Sequence, residues 1–142
     1  MTASMEFKNR SDLNAGLLNA AMGAPNAAAL IGRWANTNSQ TRGVAELSIE
    51  QEAGTFVVKI VGAGADGQIP WQLTQAQVFA NLEEEGGQRS VALAAEFDFG
   101  FMKSDCGIRV NKGVLVILLF NTFRDESGRS DYVTREFFYR PN

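Results

Sequence analysis

The chain has 142 residues, 45% of them hydrophobic and 20% charged, which is enough apolar mass for a packed core and too much for a disordered chain. Its formal net charge is −3 and its Lys and Arg residues are scattered, which argues against nucleic acid as the main partner, because that binding needs clustered cations to displace counterions. It has no histidine, so Ser-His-Asp and Cys-His catalysis, His-ligated zinc and proximal-His haem are excluded, and neither metal nor cofactor is expected.

The opening stretch, MTASMEFKNRSDLN, lacks the apolar run of a secretory signal. No later run reaches the roughly 18 apolar residues of a membrane span, so no membrane partner is expected. Cys106 is the only cysteine, which rules out an intrachain disulfide and suits a reducing, cytoplasmic location.

Residues 11–22, SDLNAGLLNAAM, predict a helix with Ser11 as cap, Asp12 in its first turn and Leu13, Leu17, Ala20 and Ala21 on one face. GAP ends it, and Asn26 caps a short second helix over AAALI. After Gly32 the period changes to two. In VAELSIE, Ala45, Leu47 and Ile49 share a face. In TFVVKIV, Lys59 marks the solvent side, and Phe56, Val58 and Ile60 the buried one. Residues 72–85 admit a helix or a strand, and their β surroundings favour the strand. In SVALAAEFDFGF, Val91, Leu93, Ala95, Phe97, Phe99 and Phe101 share one face, with Glu96 and Asp98 on the other. NKG at 111–113 is a hairpin turn, VLVILLFNTF is apolar on both faces, and DYVTREFFYR is the last strand. The expected fold is mainly β: an antiparallel up-and-down β-barrel of about eight strands with a short N-terminal helical segment. It forms a single domain over residues 1–142, with the helical segment at 1–31 and the barrel at 32–142.

GAGADG at 62–67 fits the spacing of a dinucleotide fingerprint, whose mechanism needs a helix N-terminus behind it and a parallel βαβ sheet. The residues that follow supply hairpins instead, so the segment reads as a loop with Asp66-Gly67 as turn chemistry.

Gly32-Arg33-Trp34, opening a run of antiparallel strands after a short helix, resembles the G-x-W signature of lipocalins and related calycin barrels. Ser130-Asp131-Tyr132 resembles the lipocalin T-D-Y motif, and VTREFFYRPN is similar to the closing strand of fatty-acid-binding proteins. The resemblance implies that Trp34 is a structural plug at one barrel end, beneath Arg135 or Arg140 from the last strand.

Candidate site residues follow from alternation. Tyr132, Thr134 and Glu136 share one face of the last strand; Val133, Arg135, Phe137 and Tyr139 share the other, and the pattern leaves open which faces inward. Either brings a few polar groups into an apolar site. Ligand-binding candidates are Trp71, Phe97, Phe99, Arg109, Tyr132, Arg135 and Tyr139. Catalytic candidates are Glu96, Tyr132 and Glu136, since carboxylates can act as acid or base when burial separates their pKa values. Cys106 is expected to be structural, having no histidine to activate it. The expected function is binding of a small, mostly apolar molecule inside the barrel. The alternatives are a cofactor-free isomerase or cyclase using the same cavity, and a structural scaffold.

The two apolar faces of VLVILLFNTF require a second cover, from residues 11–31 or from another chain. The short, alanine-rich N-terminal segment favours the latter, an isologous homodimer. Sedimentation equilibrium at micromolar concentration should show a dimer, and a monomer at every concentration overturns the expectation.

Overall fold

The structure, a computed structural model, describes residues 27–80 and 91–142. The helix expected at 11–22, its successor's cap Asn26 and the end of the segment 72–85 lie outside the described residues. The helical element observed is a 3-10 turn, Ala28–Leu30, which buries Leu30.

Nine strands follow: β1 (Gly32–Asn36), β2 (Val44–Glu52), β3 (Thr55–Gly64), β4 (Gly67–Pro70), β5 (Thr74–Ala80), β6 (Val91–Asp98), β7 (Met102–Asn111), β8 (Val114–Phe123) and β9 (Tyr132–Tyr139). Eight of them close an antiparallel ring in the order β1-β2-β3-β5-β6-β7-β8-β9, with β9 pairing back onto β1. Closure removes the bare edges that an open sheet of this size would expose. The fold is therefore mainly β and barrel-shaped, as the alternation in the sequence predicts.

β4 and β5 run one after the other along β3. Val61 pairs with Pro70 and Val58 with Thr74, so one extra residue is inserted between the two registers, at 71–73. That insertion shifts Trp71 out of the paired register and turns its ring toward the core, while its backbone N–H still donates to the Ile60 carbonyl at 2.8 Å. The segment 72–85, open between helix and strand in the sequence, is a strand over Thr74–Ala80.

A second irregularity corrects the reading of β2. The register slips between Val44 and Glu46, so Val44 joins Leu47 and Ile49 in the core and Ala45 is only half-buried. Simple alternation had put Ala45 inward. The NKG turn behaves as expected: Lys112 and Gly113 both have positive φ, the requirement of a two-residue turn that matches strand twist, and Ala53-Gly54 between β2 and β3 has the same conformation. GAGADG is a hairpin joining β3 to β4, with no helix behind it.

The core is the barrel interior. Val91, Leu93, Ala95 and Phe97 of β6 face Ile108 and Cys106 of β7 and Leu115, Ile117 and Leu119 of β8. Phe101, expected on the same face as Phe97, is 47% exposed, because β6 ends at Asp98 and the chain turns at Gly100. On the outer wall Val114, Phe120, Val133, Phe137 and Tyr139 are exposed.

Trp34 is 1% exposed at the end covered by the 3-10 turn. Its indole N–H donates to the Leu30 carbonyl at 2.9 Å, and the Arg140 guanidinium lies 4.1 Å above its ring. Arg140 also donates to the carbonyls of Ile31 at 2.8 Å and Ala29 at 2.6 Å. Trp34→Ala is expected to cost about 3–5 kcal/mol in urea unfolding, and Arg140→Ala about 1–2 kcal/mol. A loss below about 1 kcal/mol for Trp34→Ala would contradict this account of the closed end.

Candidate functional site

At the end of the barrel away from Trp34 lies a cavity of about 800 Å³. Val44, Met102, Leu119 and Trp71 supply apolar wall, and Asn36, Thr41, Asn121, Tyr132, Thr134 and Glu136 bring polar atoms to it. The loop 37–43 between β1 and β2 borders the cavity, as does Ile69 from β4.

Trp71 is held from two sides. Its ring meets Phe97 edge-on at 5.2 Å and Phe99 at 5.0 Å, the geometry aromatic quadrupoles prefer. Behind it sits Gly62, where an added Cβ would fall 2.6 Å from the indole nitrogen. A glycine of the apparent dinucleotide fingerprint is thus the seat of a tryptophan, and packing rather than phosphate accounts for it.

Glu136 points inward from β9 and joins three elements. Its Oε1 accepts from Asn36 Nδ2 of β1 at 3.0 Å and from the Thr41 hydroxyl of the loop; its Oε2 accepts from the Val44 N–H of β2 at 3.0 Å. Asn36 is itself fixed, because Nδ2 also donates to the Val44 carbonyl at 2.8 Å and Oδ1 accepts from the Asn38 N–H at 2.8 Å. Thr41 Oγ1 accepts from the Gly43 N–H at 3.0 Å. Gly43 leaves room for the carboxylate, since a Cβ there would lie 2.6 Å from Oε2. Across the barrel, Ser104 Oγ donates to Asn121 Oδ1 at 2.5 Å, orienting that amide at the cavity wall.

The sequence candidates separate into three groups. Trp71, Tyr132 and Glu136 line the cavity, with Phe97 and Phe99 packed behind Trp71. Arg109 and Tyr139 are exposed on the outer wall, and Arg135 lies at the rim with its guanidinium 5.5 Å from the outward Phe137 ring. Glu96 is outside, paired with Lys103 at 3.3 Å; its neighbour Asp98 is held below the usual carboxylate range by hydrogen bonds from Arg124 and the Gly100 N–H. Trp34 and Arg140 stand at the opposite end. β9 therefore turns Tyr132, Thr134, Glu136 and Phe138 inward. Asn36, Thr41, Ser104 and Asn121 were not singled out by sequence, although two signals were present. Asn36 falls two residues after Trp34 and Asn121 two after Leu119, the spacing that keeps a residue on the inner face.

Compared with family models, curated proteins and solved structures, the chain matches none. The site must be read from its own geometry. Among the described residues no cluster of acidic or thiol groups could hold a metal ion, and no helix is long and apolar enough to cross a membrane.

Cys106 lies in the core, 2% exposed, and burial pushes its thiol up from an ordinary 9.0 to about 12. Below pH 9.0 the folded and unfolded thiols both keep their protons and the stabilisation is intact; between pH 9.0 and about 12 the unfolded chain releases its proton first, and stability is lost. Between about pH 8 and about pH 10 the protein should lose roughly 1.4 kcal/mol more than its Cys106→Ala variant in urea unfolding. Equal losses would show that the thiol does not contribute.

Proposed function

We propose that the protein binds a small, mostly apolar molecule in the open end of the barrel. The observation that carries this is the cavity of about 800 Å³, which falls in the range of about 300–1,000 Å³ typical of ligand sites. Its apolar wall with a few fixed polar groups is the usual composition of such a site. Kinship with calycin-type barrels, suggested by the G-x-W stretch, agrees with this reading, and the single buried thiol suits a reducing, cytoplasmic compartment.

The two tryptophans make binding measurable. Trp71 lines the cavity, whereas Trp34 is buried at the other end. A ligand at one hundred times its dissociation constant should raise stability by about 2.7 kcal/mol and change tryptophan emission. Trp71→Phe should leave that emission unresponsive. If no lipid, retinoid or aromatic metabolite in a thermal-shift screen moves either signal, the reading fails.

Glu136 and Tyr132 line the same cavity, and this favours a cofactor-free isomerase or cyclase as the second reading. Tyr132→Phe would then abolish turnover while ligand binding persists.

A further inference from the structure

Among the described residues, the one acidic side chain lining the cavity is Glu136, and no ion pair between them involves it. Its three hydrogen-bond donors are an amide, a hydroxyl and a backbone N–H, all uncharged. They satisfy Oε1 twice and Oε2 once. A carboxylate offers about four acceptor positions, so one on Oε2 is not used by these donors. Neutral donors orient the group and leave its charge in place.

We propose that the ligand presents a positively charged nitrogen to Glu136: an amine with an apolar body. The assignment rests on the cavity reading above and specifies its head group. An ammonium would supply a charge-assisted hydrogen bond to Oε2 in a partly desolvated site. A ligand carboxylate would meet like charge there and lose its hydration without return. Trp71 and Tyr132 line the same cavity as this carboxylate, and aromatic side chains tolerate a cation nearby better than an anion. The basic residues bordering the cavity, Arg42 and Arg135, are exposed, and Arg135 extends over Phe137 on the outer wall. The chain thus differs in charge at its polar end from a barrel built to hold a fatty acid.

Octylamine, octanol and octanoate share one apolar body and differ in the head group, and their binding to the full chain can be compared by calorimetry near neutral pH. Octylamine is expected to bind on the order of tenfold more tightly than octanol, with octanoate weakest. Glu136→Gln should bring octylamine down to the level of octanol. Octanoate binding as tightly as octylamine, or an amine-to-alcohol ratio unchanged in Glu136→Gln, overturns the assignment. The three wild-type affinities decide the matter even if that variant fails to fold. Equal binding of all three would retain the cavity reading and reject the amine; binding of none would reject both.

Discussion

Everything in this barrel depends on closing the ring between its first and last strands. β8 and β9 pair from Leu115↔Phe138 to Asn121↔Tyr132, whereas β1 meets β9 only at Ala35↔Tyr139 and Asn36↔Phe138, extended by one bond from the Thr37 N–H to the Phe137 carbonyl at 2.9 Å. So short a ladder would fray if left to itself. Two side-chain clusters flank it. At one end Arg140 joins the end of β9 to the carbonyls of Ala29 and Ile31 and covers Trp34; at the other, Glu136 joins β9 to Asn36 of β1, Thr41 of the loop and Val44 of β2. Both clusters place a charged group among neutral partners, and such hydrogen bonds are roughly twice as strong as neutral ones.

How much of this was legible follows from how strands encode their faces. Where the inner face is apolar throughout, alternation is sufficient: Phe56, Val58 and Ile60 against Lys59 were placed from sequence, as were Val91, Leu93, Ala95 and Phe97. Bulges break the count. An extra residue at Ala45 and another within 71–73 shift everything beyond them by one position, and nothing in the local composition announces either. β9 is a different case, because both of its faces mix aromatic with polar residues. Its parity is fixed only across the sheet, where Phe138 pairs with Leu115 and both are fully buried. Once Phe138 is inside, Glu136 must be inside too.

The glycines show the same limit. Those of the hairpin turns could be read locally, since a two-residue turn needs positive φ whatever surrounds it. Gly62 and Gly43 could not. Each is small because a side chain distant in sequence, Trp71 in one case and Glu136 in the other, occupies the place of its Cβ. A glycine demanded by backbone geometry carries its reason in the neighbouring residues, while one demanded by packing carries it elsewhere in the fold. That is why GAGADG imitates a phosphate-binding sequence without the helix that would give it meaning.

The two ends of the seam differ in what else they touch. Arg140 stacks on a buried ring and donates to backbone carbonyls, so the contacts that hold this end of the seam are made to the protein itself. Glu136 closes the other end with part of its accepting capacity turned to a cavity. A group in that position could not serve a ligand and the fold independently. A donor arriving at Oε2 would draw on the carboxylate that also holds β1, β2 and the 37–43 loop against β9, so occupancy and closure share one charge. Removing the carboxylate would loosen the seam as well as the cavity wall, whereas changing the head group of a candidate ligand would leave the seam as it is. Varying the ligand is therefore the cleaner way to separate recognition from folding, because it leaves the shortest ladder of the barrel as it was.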